Sequence, residues 1–311
     1  MALNWLDWLA PNFVPSLIAY SLSLIALFIG SLTDLKTREV PDWLNYALII
    51  SGAALNLLFS VIYSTYSFII SSMIGLAAFL CIAYAMFYTG QWGGGDSKML
   101  IGLGAMLGIS ASFKPQFLLL FFINVLFVGA IYGLLWSVFL AFKNKQKFYR
   151  EFAGVLSEKK VVKVKKLMPI VIVLLFILLF LANFIAAKKF FSMKIFLAMY
   201  LSLAFLLIAT FYLWIFAKAI EKSCMYRLVE PGKLTEGDWI VNDVYAGKQY
   251  ICGPKDLGIG KSQIRKLTQF YRQRKVNKIL IKEGIPFVPS FLAAFVITLI
   301  FGSPMLLFAG I

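Results

Sequence analysis

Ionisable side chains are nearly missing from long stretches of this chain, and that distribution governs what it can fold into. Between positions 13 and 142 the only acids are Asp34, Glu39, Asp42 and Asp96, and the only bases are Lys36, Arg38, Lys98 and Lys114. Apolar runs of about 20 residues are what a helix needs to cross the hydrocarbon core of a bilayer. Lipid offers no partner to backbone amides, so each run must close its hydrogen bonds within itself. Composition points the same way. Of the 311 residues 61% are hydrophobic and 14% charged, too little polar surface for a water-soluble globule of this length. The pattern predicts a multi-pass α-helical membrane protein.

The apolar runs give about eight transmembrane helices, over 13–33, 43–63, 68–89, 97–111, 117–142, 167–187, 190–217 and 287–309. The fourth is short, and its start at Asp96 suggests a helix beginning inside a polar recess. Spans six and seven are separated by a tight turn near Lys188 and Lys189. Loops after spans one, three, five and seven collect Lys36, Arg38, Lys98 and two basic stretches, 143–166 and 218–282, whereas the opposite side keeps Lys114, Lys188, Lys189 and Lys194. The positive-inside bias makes the rich side cytoplasmic and puts both termini outside. The formal charge of +16 therefore belongs to loops beside the membrane, and anionic lipid headgroups explain it better than nucleic acid.

Residues 1–12 lack the Lys or Arg of a cleaved signal peptide, and Trp5 and Trp8 read as interfacial anchors before a retained first span. Cys81, Cys224 and Cys252 are far apart and there is no histidine, so neither a metal site nor a disulfide framework is expected.

Segment 219–285 differs in kind. Turn signals at Pro231-Gly232, Glu236-Gly237-Asp238, Ala246-Gly247 and Gly253-Pro254 surround short β-like runs at 239–241 and 249–252. An amphipathic helix over 261–274 follows, with Ile264, Leu267, Phe270 and Tyr271 on one face. This predicts a small cytoplasmic α+β domain of about 65 residues between the last two spans, near the lower limit for independent stability. Gly258-Ile259-Gly260-Lys261-Ser262 imitates a phosphate-binding loop, but Lys255 stands where that motif needs glycine, so no nucleotide is expected.

Asp34 and Asp96 are the residues with chemistry to offer. Acids at membrane depth cost about 2.5–3.5 kcal/mol on insertion scales and usually face a polar cavity. The chain crosses out and back between them, so both return to the same cytoplasmic boundary. Two carboxyl groups sharing a site hold one proton between them. The carboxylate can take a proton from an attacking water while the carboxylic acid protonates a scissile carbonyl, with no metal or cofactor. Gly93, Gly94 and Gly95 lack Cβ atoms, can adopt positive φ, and would let an unwound substrate strand approach closely. Glu39 and Asp42 are candidates for docking a basic substrate segment, and Lys98 for tuning Asp96. Each also has a plain reading: Asp34 as a helix terminator, the glycines as a turn, Glu39 and Asp42 as solvated loop acids, Lys98 as a snorkelling boundary residue.

Taken together, Thr33-Asp34-Leu35-Lys36-Thr37-Arg38-Glu39-Val40-Pro41-Asp42, the glycines ending at Asp96, and Lys98 two residues later resemble the prepilin peptidases, GxGD-type intramembrane aspartyl proteases. The resemblance covers residues 13–142. Leu234-Thr235-Glu236-Gly237-Asp238, Asp256-Leu257-Gly258-Ile259 and Lys282-Glu283-Gly284-Ile285-Pro286-Phe287-Val288-Pro289 are similar to the C-terminal region of archaeal members, the preflagellin (prearchaellin) peptidases. The resemblance implies that Asp34 and Asp96 are the catalytic pair, and that the substrates are archaeal pilin or archaellin precursors with a short basic leader ahead of a hydrophobic helix. Nothing matches the tetracysteine domain of bacterial relatives, which implies cleavage without methyl transfer.

The domain organisation then reads as a catalytic membrane domain over 1–142, a basic cytoplasmic loop with spans six and seven over 143–218, the soluble domain over 219–285 and a last span over 286–311. A presenilin-like protease shares the GxGD pattern, but Thr33 precedes the first aspartate and Pro289-Ser290-Phe291 is a poor Pro-Ala-Leu. A transporter binding a cation or proton through the same acids is the alternative of a different class.

Overall fold

A computed structural model describes residues 13–110, 116–185, 192–256 and 258–302. Trp5, Trp8, Lys114, the turn at Lys188 and Lys189, Leu257 and the end of the last span lie outside the described residues.

Helices dominate: α1 (Phe13–Thr37), α2 (Asp42–Ile62), α3 (Ser67–Tyr88), α4 (Gly94–Leu107), α5 (Phe117–Lys143), α6 (Lys145–Leu156), α7 (Lys159–Ile185), α8 (Met193–Ile220), α9 (Lys261–Arg272) and α10 (Val288–Phe301). Six of them, α1, α2, α3, α5, α7 and α8, are long and apolar enough to cross a membrane. This is a multi-pass membrane protein. Helices α4 and α10 are shorter, with 14 residues each.

The chain divides into two compact units, one formed by Met1–Trp136 with Leu228–Ile311 and the other by Ser137–Arg227. In the first, α4 lies against both α2 and α3, and glycine is what permits it. A Cβ on Gly52 would sit 2.7 Å from the Met106 amide nitrogen, and one on Gly104 would sit 2.6 Å from the Gly75 carbonyl oxygen. Small residues let helix backbones approach where lipid supplies no hydrophobic drive. Helix α4 is consequently almost wholly enclosed, with Met99, Leu100, Leu103 and Ala105 at 0% exposure. Phe291, Phe295, Phe121 and Trp92 complete the core where α10 and α5 close on α1 and α4.

Two expectations are corrected. Helix α4 begins at Gly94 rather than at 97, because the Asp96 side chain accepts the Gly93 N–H and caps the first turn. Residues 143–166 are not a loop. Phe148, Phe152 and Val155 recur at helical spacing, so α6 forms, and α7 then starts at Lys159.

The second unit packs α6 and α7 on α8. Phe148 with Ala219 and Ile220, and Val155 with Val161 and Ile215, form two small cores. Glu158 joins the helices by accepting from Lys218 Nζ at 2.6 Å and Lys222 Nζ at 2.7 Å.

The strand-containing region follows α8. Strands β1 (Tyr226–Val229), β2 (Trp239–Ile240) and β5 (Ile279–Lys282) form a sheet in the order β1-β5-β2, and β3 (Val244–Ala246) pairs with β4 (Gln249–Cys252) as a hairpin. Strands β2 and β5 are antiparallel, with Trp239 opposite Lys282 and Ile240 opposite Ile281. Leu267 of α9 packs into a core with Leu234, Ile240, Ile251, Ile259 and Ile281. The Gly260 N–H at the start of α9 donates to Gln263 Oε1 at 2.9 Å, and Lys261 pairs with Glu236 at 3.2 Å. Gly260 and Lys261 of the phosphate-loop look-alike are thus both engaged within the strand-containing region.

Candidate active site

Helix α1 runs through its apolar length and stops one turn after Asp34. Arg38 takes a left-handed conformation (φ 62°) while its N–H still reaches the Asp34 carbonyl at 2.9 Å, and Pro41 then stands before α2. The Asp34 side chain is 5% exposed. Its Oδ2 accepts the Val288 N–H at 3.0 Å, and the Phe287 amide also reaches the carboxylate. The guanidinium of Arg38, one helical turn onward, lies within electrostatic range. Arg38 donates from Nη1 to the Gly284 carbonyl at 3.1 Å and sits over the Trp136 ring at 5.4 Å.

Asp96 occupies the first turn of α4, where its Oδ2 accepts the Gly93 N–H at 3.1 Å. The charge of Asp34 acts directly on it. Helix α1 packs on α4, so the two acids stand at the same end of the same bundle. Two like charges within each other's field in a poorly hydrated setting resist ionising together, and such a pair keeps one proton.

The glycines act otherwise than expected. None of Gly93, Gly94 and Gly95 has positive φ; Gly93 is extended at φ −70°, and Gly94 and Gly95 open α4. Gly95 serves close packing instead, since a Cβ there would meet Val40 Cβ at 3.1 Å. In the loop before α4 it is Gly90 that has positive φ, at 69°.

Lys98 is directed to Asp42, with Nζ to Oδ1 at 2.6 Å, and lies over the Tyr46 ring at 5.6 Å. Asp42 is therefore paired within the protein. Glu39 is exposed and shares its field with Asp238 and Glu283. Burial pushes the Asp238 carboxyl up, the Thr235 N–H at 2.8 Å opposes this, and the neighbouring Glu39 and Glu283 add to it.

Four contributors were not singled out from sequence. Asn45 is fully buried on α2 and its Nδ2 approaches the Gly95 carbonyl at 3.4 Å. Tyr132 on α5 buries its hydroxyl within range of Asp34 and Arg38, without a hydrogen-bond partner among the described residues. Both are polar groups inside apolar runs, a signal that could have flagged them. Arg38 was detectable from its spacing of four from Asp34. The Val288 amide was not, because every residue but proline carries one.

No group of three or more metal-binding side chains occurs among the described residues.

Residues 21–134 match the type IV leader peptidase family. That stretch carries both aspartates. The preflagellin peptidase of Methanococcus voltae is 31% identical over 154 residues, covering 45% of this chain and 66% of that protein. The preflagellin peptidase of Methanococcus maripaludis is 32% identical over 139 residues, covering 40% and 56%. That of Methanocaldococcus jannaschii is 34% identical over 91 residues, covering 29% and 38%. The chain thus spans between 38% and 66% of the lengths of these relatives.

Proposed function

We propose that this protein is an intramembrane aspartyl endopeptidase that removes short basic leader peptides from type IV pilin-like precursors, archaeal pilins or archaellins. The observation that carries this reading is the convergence of Asp34 and Asp96 at one end of the bundle, inside the family-matched residues 21–134. The preflagellin peptidase relatives supply the substrate class.

In this reading the pair shares one proton. Its charged member takes a proton from water as the water oxygen bonds to the scissile carbonyl carbon, and its protonated member donates to the carbonyl oxygen. The tetrahedral intermediate collapses by breaking the C–N bond, with the first proton passing to the leaving amine and the second returning to its donor. No metal or cofactor takes part. Gly93 and Gly94, whose Cβ positions meet nothing closer than 3.4 Å, let the substrate backbone approach, and Glu39 receives the basic leader, with Asp42 held beside it by Lys98.

The site opens to the cytoplasmic face, where positively charged loops gather and anionic lipid headgroups meet them. Helices α4 and α10 complete a set of eight spans, and the strand-containing region is a cytoplasmic α+β domain between α8 and α10. The domains follow the boundaries 1–142, 143–218, 219–285 and 286–311.

Cleavage of a synthetic precursor in membranes containing Asp34→Asn or Asp96→Asn tests the assignment. Either substitution abolishes cleavage while the protein still inserts. Cleavage surviving in either variant would remove the pair from the chemistry.

A further inference from the structure

Helix α10 starts beneath the site without a side-chain cap of its own. Of its first amides, that of Ser290 returns to the Phe287 carbonyl at 2.9 Å and Pro289 has none. The remaining amide, Val288 N–H, points at Asp34 Oδ2. Asp34 is therefore the cap of a helix to which it does not belong, and it stands at the positive end of that helix dipole.

Asp96 also stands at a helix N-terminus, in the first turn of α4, but the two acids are unequally served by donors. Asp34 receives the Val288 and Phe287 amides and the charge of Arg38. Asp96 receives the Gly93 amide. The groups facing Asp34 are Arg38 on its own helix, Asp96 from α4, the Tyr132 hydroxyl from α5 and the amides of α10. Hydrogen bonds to a carboxylate and a nearby cation favour its charged form, and like charge across the pair then leaves the proton on the less favoured partner.

We propose that the N-terminus of α10, through the Val288 N–H, holds Asp34 as the charged member of the pair and leaves the shared proton on Asp96. This rests on the aspartyl protease reading and assigns its roles. Asp34 takes the proton from water, and Asp96 protonates the scissile carbonyl oxygen. Val288 is a positioning residue, acting through Asp34.

The test is the pH profile of precursor cleavage by the full chain in detergent. Its acid limb reports the first proton leaving the pair, and its alkaline limb the second. Val288→Pro removes the N–H at the first position of α10, where proline's fixed φ fits the helix, at the cost of disfavouring the αR conformation of Phe287 before it. The acid limb moves to higher pH by roughly one unit, a tenfold loss of rate on that limb, with the alkaline limb nearly in place. Val288→Ala keeps the N–H and keeps both limbs in place. Arg38→Gln, which removes the cation beside Asp34 and its bond to the Gly284 carbonyl, moves the acid limb in the same direction, and an acid limb that stays in place there overturns the assignment even if Val288→Pro does not fold.

A shift of the alkaline limb instead, or no shift in the folded variants, overturns the assignment while leaving the protease reading intact. A wild-type protein that does not cleave the precursor overturns both.

Discussion

The carboxylate of Asp34 accepts a hydrogen bond from the Val288 amide at 3.0 Å, across 254 positions of sequence. This contact ties the end of α1 to the start of α10. It explains how a helix of 14 described residues, entering directly after the strand-containing region, becomes part of the site rather than a simple anchor.

The close fit of α4 makes a packing prediction. A Cβ at Gly104 would stand 2.6 Å from the Gly75 carbonyl and 2.8 Å from Phe79 Cβ. Gly104→Ala should destabilise the protein by about 1–3 kcal/mol through overpacking. Gly133, with nothing within 4 Å of its Cβ position, should accept alanine at little cost. Thermal unfolding in detergent compares the two, and equal midpoints would contradict the fit.

Asn45 reaches from α2 to the Gly95 carbonyl, directly before Asp96. Asn45→Ala should lower kcat for precursor cleavage by roughly tenfold with little change in KM, since misplacement of a reacting group costs turnover. A rise in KM at constant kcat would instead give Asn45 a binding role.

Glu39 and Asp42 can now be separated. Asp42 is held by Lys98, whereas Glu39 is grouped with Asp238 and Glu283. Glu39→Lys should raise KM for a precursor with a basic leader several-fold more than Asp42→Lys, and neither should affect a neutral leader, because Coulomb attraction needs charge on both sides. Equal responses to basic and neutral leaders would end the docking role.

Glu158 gives a pH dependence outside the site. Hydrogen bonds from Lys218 and then Lys222 hold its carboxyl down at about 2, against an ordinary value of 4.5. A lowered folded value contributes stability above the unfolded value, lost as pH falls through the folded one. Glu158→Gln should therefore lower the melting temperature at neutral pH, and the gap to wild type should close as pH falls from about 4.5 toward about 2. A gap independent of pH would mean the ion pairs contribute nothing.

Much of this architecture was legible before any coordinates. Apolar run length located α1, α2, α3, α5, α7 and α8 to within a few residues, apart from an earlier start of α7, because lipid forces such runs to be helices. Turn signals marked the strand-containing region, and the 261–274 face anticipated α9. The basic stretch 143–166 misled, since its lysines obscured the spacing of Phe148, Phe152 and Val155. The glycines before Asp96 misled too: their composition suggested positive φ, while the capping bond from Gly93 to Asp96 leaves Gly93 extended and opens the helix at Gly94.

The sequence by itself determined the solvent and the helical class, and it singled out two acids beside long apolar runs, because burying charge in lipid is costly enough for its few exceptions to stand out. Tertiary structure alone decided which amides, cations and neighbours each acid meets. Val288, Gly284 and Arg38 are brought together by helix packing, and the field at a carboxylate depends on distances that a linear order of residues does not contain.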